Sequence, residues 1–529
     1  MSNRLKEALC KGEFVVTCEV VPGRGANEAA QIKEFNEAYA IWQTGRVHAI
    51  SITDNPGGNP ALLADVVAMD FLEKGICPLV HMSCKDRSRN QLQSQFYAMQ
   101  RRGIENLLVM TGDYPMSGWG GRSRPVFDLD PVQMLGFLTQ MNEGLTYETS
   151  RGSATDQPSQ FFAGAVVSPF KWSEGELIPQ YIKLKKKVAS GAQFIITQVG
   201  YDARKMQELL FYMQENALDV PVIANIYLLT LGAARLMKRG GIPGCYVNDK
   251  LLTVLKAEAQ SEIKGRAARY LRAAKMVAIA RGMGFDGVHV GGMGMTAEVL
   301  MFILDAADEL QSEWRAWAAE LSYGQPDGWY YYQPERSADG TPTGLNTNEH
   351  AERIEVNRSR KLMKGYGLSR FFHRLVLTKD RGFYGVLKGS MERRGRKRGF
   401  NRKHGFEHMG KVLLYGCMDC GDCGLEAAVY SCPMTQCPKC QRNGPCAGSS
   451  DGWCEVYPGE RYCIYYKAYH RLKKYGEPYR LDAFITPPNN WDFYKTSGWS
   501  NYTHERDNAS RRIYLDRKQE TEQGRNQQA

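Results

Sequence analysis

Short apolar runs rich in β-branched residues alternate with longer amphipathic segments from residue 14 to residue 292. Strands that alternate with helices build parallel sheets from βαβ units. Eight such runs favour an α/β chain folded as a closed (β/α)8 TIM barrel over an open sheet. The runs are FVVTCEVV (14–21), HAISIT (48–53), LVHMS (79–83), LLVMT (107–111), FFAGAVV (161–167), FIITQ (194–198), PVIAN (221–225) and GVHV (287–290).

Polar side chains collect at the carboxyl ends of these predicted strands. Active sites of (β/α)8 barrels lie at that face, so we expect these side chains to surround one pocket. Each of them alone is equally consistent with a turn, because loops also begin at strand ends. The set is Glu19, Thr53, Asp54, His81, Thr111, Asp113, Ser168, Thr197, Gln198 and Asn225.

Three of these residues have a chemistry that suits catalysis. Glu19 ends an apolar strand, where burial would raise the pKa of its carboxyl and make it a candidate general acid. Asp113 follows Gly112, which allows a tight turn. The Gln198 amide can bind a polar heterocycle through paired hydrogen bonds. Lysines of the stretch 183–192 near the barrel mouth could reach a cofactor phosphate.

Composition changes after the barrel and predicts a second domain. We expect the barrel at 1–322, a Gly-, Pro- and Tyr-rich linker at 323–354, a small basic, cysteine-rich metal-binding domain at 355–500, and a polar tail at 501–529. The N-terminus lacks the apolar core of a signal peptide, and no apolar stretch approaches the ~18 residues of a membrane span. A cytoplasmic protein without a membrane segment is therefore expected.

Nine of the 14 cysteines lie between residues 417 and 463. Disulfides are disfavoured in the reducing cytoplasm. The spacing C-x2-C-x2-C with a distant Cys-Pro is typical of a [4Fe–4S] cluster, whereas structural zinc favours paired C-x2-C knuckles. Iron–sulfur, zinc or both therefore stay open. The predicted ligands of a first set are Cys417, Cys420, Cys423 and Cys432. A second set, Cys437, Cys440, Cys446, Cys454 and Cys463, can supply another four-thiolate site with one cysteine to spare.

The net charge of +11 is concentrated in the basic run 391–411. Such a run is either a solvated face or a docking surface for an acidic redox protein. It has few interleaved aromatic residues, so nucleic-acid binding is not expected.

The barrel motifs resemble the flavin-dependent methylenetetrahydrofolate reductase family over residues 10–310. The resemblance rests on CEVVPGRG, SITDNP, HMSCKDRSRNQL, VMTGDYP and LKKKVASGAQFIITQVGYD. The later stretches CPKCQRNGPCAG and WDFYKTSGWSNY resemble the cysteine-rich C-terminal domain fused to some of these reductases, which is similar to the small partner subunit of acetogen-type reductases. Cys440 falls outside that pattern, which implies that it is the spare thiol.

The resemblance implies a role for each barrel candidate. Glu19 would protonate the folate and open its five-membered ring, Asp113 would bind the pterin and tune the flavin, and Gln198 would position the folate. FAD or FMN would be the cofactor, and NAD(P)H or a redox protein the electron donor. The implied cofactor-binding residues are Thr53, His81, Met110, Thr111, Gly112, Asp113, Lys183 and Lys187.

The expected function is flavin-dependent reduction of 5,10-methylenetetrahydrofolate to 5-methyltetrahydrofolate by an oligomeric enzyme of one-carbon metabolism. The metal-binding domain would relay electrons or dock a redox partner. Two alternatives remain open at this point. One is a folate- or corrinoid-linked enzyme that works in the methyl-oxidising direction, and the other is a non-catalytic zinc-binding docking protein on a barrel scaffold.

Overall fold

A computed structural model of the chain describes residues 3–354, 356–379, 382–395 and 405–515. The chain forms two compact units, of which the first comprises Met1–Glu355 and Pro445–Tyr462. The second comprises Val356–Gly444 and Cys463–Ala529. Every helix in the described ranges is too short or too polar to cross a membrane.

Eight parallel strands of the first unit close into a barrel in sequential order, with the first strand paired to both the second and the last. This confirms the predicted (β/α)8 architecture. These strands are buried along almost their whole length, because both faces of a parallel sheet are covered by other parts of the fold. The strands are β1 (Val15–Val20), β2 (Ala49–Ile52), β3 (Pro78–Ser83), β4 (Asn106–Met110), β5 (Phe162–Val167), β6 (Ile195–Thr197), β7 (Val222–Tyr227) and β8 (Gly287–Gly291).

Helices follow the strands and begin at local capping signals. Asp130, for example, accepts hydrogen bonds from the Val132 and Gln133 amides, and Pro131 occupies the first helical position, as expected for a helix start. The helices are Arg4–Cys10, Ala29–Gln43, Ala64–Glu73, Arg89–Arg102, Pro131–Glu143, Glu174–Ala189, Ala203–Glu215, Leu231–Lys238, Asp249–Glu258, Arg266–Met283, Ala297–Leu310 and Trp314–Glu320, with 3-10 turns at Pro56–Gly58 and Gln311–Glu313.

The first helix closes the amino-terminal end of the barrel. Its Leu5 and Leu9 join one buried cluster with strand residues that include Phe162 and Phe194. The two phenylalanine rings stack with centroids 5.1 Å apart. Apolar packing fills this end, so the opposite end is left for the polar residues.

The stretch predicted as a linker contains a β-hairpin in the barrel unit, which differs from the expectation. Strand Tyr332–Arg336 pairs with Pro342–His350, and Arg204 donates from Nε to Asn346 Oδ1 at 2.9 Å. Aromatic burial, with Tyr331 and Tyr332 both under a tenth exposed, holds the hairpin against the barrel. Two further hairpins are Ser117–Gly118 with Gly121–Arg122 and Thr146–Thr149 with Gly152–Thr155.

The second unit consists of short elements joined by cysteine-bearing loops. Asp422, which is fully buried, accepts the Asn508 amide at 2.5 Å, so ordered structure extends into the region expected to be a polar tail. Residues 396–404 of the basic run lie outside the described ranges. The elements are helices Arg360–Met363, Tyr366–Phe372, His373–Leu377, Tyr384–Gly395, Gly405–Tyr415, Ile464–Lys473, Pro478–Leu481, Trp491–Phe493, Gly498–Thr503 and Asn508–Arg511, and strands Phe484–Ile485 and Ile513–Tyr514.

Glu208 joins the hairpin region to the barrel helices. Its carboxylate has no exposed surface and accepts from Lys205 Nζ at 2.9 Å, from the Tyr181 hydroxyl at 3.2 Å and from the Tyr331 amide. A buried ion is tolerated only when such partners satisfy it.

We predict that Glu208→Gln destabilises the barrel by about 3–5 kcal/mol, because it leaves the Lys205 charge buried without its anion. Urea unfolding followed by circular dichroism measures the loss. The matched control is exposed Glu309→Gln, which should change the unfolding free energy by less than about 0.5 kcal/mol. Equal stability of the two variants would contradict the role of Glu208.

Candidate active site

The pairing of β1 with β8 brings an acid and an imidazole together at the barrel mouth. Thr17 lies opposite His289 in the parallel register. Side chains two residues apart share a face of a strand, so Thr17 and Glu19 both face His289. His289 Nδ1 lies 2.8 Å from Thr17 Oγ1, and its Nε2 lies 3.6 Å from Glu19 Oε2. The three side chains form a continuous polar chain.

The charge state of Glu19 differs from the expectation. Burial does act to raise the pKa of its carboxyl, but the interactions with the His289 and His81 imidazoles outweigh it, and the net pKa is lowered. The prediction of a raised pKa was wrong because the sequence did not show which imidazoles lie beside the carboxylate. Glu19 is therefore ionised at neutral pH in the free protein.

His81 completes a second imidazole–hydroxyl pair beside the first. Its Nε2 lies 2.6 Å from Ser51 Oγ, and burial lowers its pKa to about 4, so the ring is neutral at physiological pH. Its ring centroid is 6.2 Å from that of His289. Ligand atoms of Glu19, His81 and His289 all lie within 4.8 Å of one another, a donor set that could also hold a metal ion.

The Gly-Asp turn after β4 connects two loops of the mouth. Gly112 has a φ of +82°, and a Cβ at this position would lie 2.7 Å from the Ser83 Cβ, so only glycine fits. Asp113 Oδ2 accepts a hydrogen bond from the Gly57 amide at 2.7 Å. The turn thereby fixes the loop after β2 against the loop after β4.

Two buried hydroxyls at strand ends are available to a ligand. Thr53 Oγ1 and Ser168 Oγ have no hydrogen-bond partner within the described part of the chain. Buried polar groups normally have partners, so such atoms suit a bound polar molecule. Of the other predicted cofactor residues, Thr111 is buried at the end of β4, and Met110 packs against the barrel core.

The two lysines that were predicted to bind a cofactor phosphate donate hydrogen bonds to main-chain carbonyls. Lys187 Nζ donates to the Val166 carbonyl, and burial together with the charge of Lys183 lowers the Lys187 pKa to about 7. Lys183 Nζ donates to the Pro445 carbonyl at 3.0 Å. Their role in cofactor binding remains a prediction.

Gln198 and Tyr227 border the same mouth. Gln198 accepts the Val199 amide through Oε1 at 2.9 Å. Burial and then the charge of Glu19 raise the pKa of Tyr227, so its phenol lies within electrostatic reach of the acid. Sequence reasoning did not include His289, Thr17 or Tyr227 among the site residues, although His289 in the last predicted strand was a detectable signal.

The first cysteine set of the second unit is close enough for its thiols to interact. Burial raises the pKa of Cys417 to about 11 and that of Cys420 to about 12, and neighbouring thiols that include Cys423 add to both shifts. Burial also raises the pKa of Cys432, with a contribution from Cys423. A metal deprotonates such thiols when it binds, and metal binding by this set remains a prediction.

Cations and an apolar cavity border this set. Lys411 is buried, and its pKa is raised despite that burial because it lies beside Cys423 and Glu407. Arg442 acts on Cys420 to lower its pKa. A cavity of about 300 Å³, mainly apolar and lined in part by Phe372 and Cys423, adjoins the set. Two cations therefore lie near these thiols, and the cavity adjoins Cys423.

The second cysteine set is distributed over both units. Cys446 and Cys454 belong to the barrel unit, whereas Cys437 and Cys463 belong to the second unit, where they pack against one apolar cluster. The predicted domain limits of 355–500 therefore differ from the structure, in which Pro445–Tyr462 groups with the barrel.

Two known protein families match this chain, one over the barrel and one over the cysteine-rich region. The family described as methylenetetrahydrofolate reductase matches residues 4–135 and 167–307, and the one described as methylene-tetrahydrofolate reductase C terminal matches residues 399–492. The first of these covers more than half of the chain. The chain belongs to the methylenetetrahydrofolate reductase family.

Individual relatives are more distant. Methylenetetrahydrofolate reductase 1 of Schizosaccharomyces pombe is 26% identical over 233 residues, which cover 43% of this chain and 35% of the relative. Methylenetetrahydrofolate reductase 2 of Saccharomyces cerevisiae is 26% identical over 196 residues, which cover 36% and 30%. The matched region thus spans about a third of these relatives.

Two solved structures are similar to this chain at low scores. An uncharacterised Clostridium thermocellum protein that binds two copies of 5-methyl-5,6,7,8-tetrahydrofolic acid has a TM-score of 0.42 at 13% identity, with 58% of this chain and 99% of that chain covered. Tryptophan synthase of M. tuberculosis in its open form has a TM-score of 0.31 at 13% identity, with 59% and 98% covered. Scores below 0.5 add nothing to the assignment.

The lowered pKa of Glu19 predicts how stability depends on pH. A carboxyl with a depressed native pKa stabilises the fold above its unfolded pKa, and this contribution is lost as pH falls through the native value. The unfolding free energy of the wild type minus that of Glu19→Gln should therefore decrease between pH ~6.5 and pH ~3.5, as measured by urea titration. Exposed Glu13→Gln is the control, and a difference that grows on acidification would contradict the assigned charge state.

Proposed function

We propose that the chain is a flavin-dependent reductase that converts 5,10-methylenetetrahydrofolate to 5-methyltetrahydrofolate. The observation that carries this proposal is the Glu19 carboxylate held beside His289 and Thr17 at the mouth of a barrel of this family. Ring opening of the substrate needs a proton at a defined nitrogen, and this polar chain can deliver one.

Glu19 acts on the bridge between the two folate nitrogens. Its proton goes to N10, the N10–methylene bond breaks, and the methylene carbon remains on N5 as an iminium ion. A hydride added to that carbon gives the methyl group, so one proton and one hydride balance the reduction. Glu19 is ionised in the free protein, and bound folate excludes water and raises its pKa toward the acid form. His289 then exchanges protons with Glu19 and is held in place by Thr17.

The residues of the mouth also fit a flavin. Bound flavin supplies the hydride, while the protein orients it and excludes water. Thr53 and Ser168 offer buried hydroxyls without partners in the described chain, and Gly112 allows close approach of the backbone. We assign Asp113 to the pterin and the flavin, and Gln198 to the folate. FAD and FMN share the ring system that these residues would contact.

The cysteine region would relay electrons in this proposal. Cys417, Cys420, Cys423 and Cys432 would hold a [4Fe–4S] cluster, an assignment supported by their spacing and by the interacting thiols around Cys423. The electrons come from NAD(P)H or from a redox protein that docks on the second unit. Buried Lys411 and Arg442 stabilise the negative charge of the thiolates.

The reverse direction is a second candidate with its own support. The lowered pKa makes Glu19 a base in the free protein, which suits removal of the N10 proton during oxidation of a methyl group. The same residues serve both directions, and the potential of the electron partner decides which one operates.

We predict that Glu19→Gln lowers the rate of methylenetetrahydrofolate reduction by about 10²–10⁴-fold, because it removes the proton donor. Flavin content, read from the visible spectrum, should be unchanged. Product is quantified by chromatography under a fixed supply of an artificial reductant. Exposed Glu13→Gln should retain full activity, and a normal rate in Glu19→Gln would remove Glu19 from the mechanism.

We predict that Cys420→Ser loses iron and the activity driven by the physiological electron donor but keeps activity with an artificial dye. Metal analysis and dye-linked assays measure both properties. Cys440→Ser, at the spare thiol, should retain iron. A wild type that contains zinc alone would end the relay proposal while leaving the flavin chemistry intact.

A further inference from the structure

A short piece of the C-terminal region is held on the barrel by two buried lysines. Lys171, in the loop after β5, donates from Nζ to the Ala447 carbonyl and, at 2.7 Å, to the Ser449 carbonyl. Lys183, on the helix that follows, donates to the Pro445 carbonyl at 3.0 Å. All of these residues belong to the same compact unit, so the contacts lie within the barrel unit itself.

Burial makes the contacts of Lys171 energetically important. Only 4% of this residue is exposed, and a buried ammonium ion is costly unless hydrogen bonds or an anion stabilise it. Among the described residues, no carboxylate pairs with Lys171, and its bonds go to the two carbonyls. The segment 445–449 therefore stabilises the Lys171 charge, and the lysine in turn fixes the segment.

The chain that follows the segment 445–449 folds back on itself. The Trp453 and Tyr462 rings stack with their centroids 4.0 Å apart. The Cys454 amide donates to the Arg461 carbonyl at 2.8 Å. The segment is thus bound by the lysines and continues directly into a compact turn, which restricts its movement.

The loop that carries Lys171 packs against the loop that carries Gln198. The Gln198 backbone amide donates to the Val167 carbonyl at 2.7 Å. Gly200 lies so close to the Phe170 ring that a Cβ on it would be 2.4 Å from ring carbons. Lys171 follows Phe170 directly, so the lysine and the glutamine lie in two loops that are in contact.

The segment also approaches the Gln198 side chain from a second direction, through Gly244. Gly244 has a φ of +79°, and a Cβ there would lie 3.1 Å from the Ala447 carbonyl oxygen and 3.4 Å from Gln198 Nε2. The Gly244 backbone is therefore close to both groups. A larger residue at this position would enter the space that the segment and the Gln198 amide share.

We propose that Lys171 is a positioning residue that holds the segment 445–449 against the folate site. The segment, through the Gly244 backbone, fixes the orientation of the Gln198 amide. This inference rests on the proposed function, in which Gln198 binds the folate. A side chain that is held in its binding orientation loses less conformational freedom when the ligand binds, so the affinity for folate is higher. The folate site thus depends on residues of the C-terminal region as well as on the barrel strands.

A double-mutant cycle on the full chain tests this dependence, with 5-methyltetrahydrofolate binding measured by titration calorimetry. Lys171→Met and Gln198→Ala should each raise the dissociation constant by about tenfold. The double variant should also bind about tenfold more weakly than the wild type, because both substitutions remove the same interaction. A lysine that served only the stability of the fold would act independently of Gln198, and the double variant would then bind about a hundredfold more weakly.

Hydrogen exchange on the same proteins reports whether the segment is held. Amides of residues 446–454 should exchange at least about tenfold faster in Lys171→Met than in the wild type, and Gln198→Ala should leave them slow. Lys171→Gln, whose amide can still donate to one carbonyl, is the milder variant and should show a smaller change in both measurements. Exposed Lys256→Met is the control and should behave as the wild type, and circular dichroism verifies that each variant is folded.

Two glycines of the loop after β7 provide a matched pair of variants. Gly240 has a φ of +74° and no atom within 4 Å of the position of a Cβ, so alanine there adds backbone strain without a contact. Gly244→Ala should weaken 5-methyltetrahydrofolate binding by at least about fivefold while exchange in 446–454 stays slow, because the lysine contacts remain. Gly240→Ala should bind this folate as the wild type does.

Three results would overturn the proposal. The first is a double variant with independent effects of Lys171 and Gln198. The second is a folded Lys171 variant in which exchange of 446–454 stays slow or folate binding stays normal. The third is equal folate binding by Gly244→Ala and Gly240→Ala.

Failure of the proposed function gives a different result from failure of this inference. A wild type that binds no 5-methyltetrahydrofolate would refute both. A wild type that binds it, together with any of the three results above, would refute only the positioning role of Lys171 and would leave the proposed reductase intact.

Discussion

The parallel pairing of the first strand with the last is the contact on which the site depends. It closes the barrel and sets Thr17 opposite His289, so that Glu19 lies beside an imidazole that is 270 residues away in the sequence. A shift of one residue in this register would turn Glu19 to the other face of the strand. The polar chain and the lowered pKa of Glu19 both follow from that register.

Barrel architecture and several site positions could be predicted from sequence, because strand and helix periods are local signals. The strand-end acids were found for the same reason, since the carboxyl ends of barrel strands share one face. His289 was missed, and the pKa shift of Glu19 had the wrong sign, because both depend on a contact made only when the barrel closes. The hairpin at 332–350 was hidden by its Gly and Pro content, and its aromatic packing against the barrel could not be predicted from local pattern.

Charged side chains interact with the cysteine region, as they do with the residues of the barrel mouth. Lys411 and Arg442 act on the first set of thiols, while Lys171 and Lys183 bind the segment that carries Cys446. Metal–thiolate clusters are anionic, so cations near them stabilise the deprotonated ligands. Local sequence could identify the cysteine spacing but not the grouping of 445–462 with the barrel, because that grouping rests on lysines more than 260 positions earlier.

We propose that this barrel passes a hydride from bound flavin to a folate methylene carbon. An anaerobic half-reaction tests it directly: the chain is purified with its flavin, reduced chemically, and mixed with 5,10-methylenetetrahydrofolate. We predict that flavin absorbance near ~450 nm returns and that about one 5-methyltetrahydrofolate forms for each flavin reoxidised. A chain that binds no flavin, or a reduced flavin that stays reduced while folate is unchanged, would contradict it.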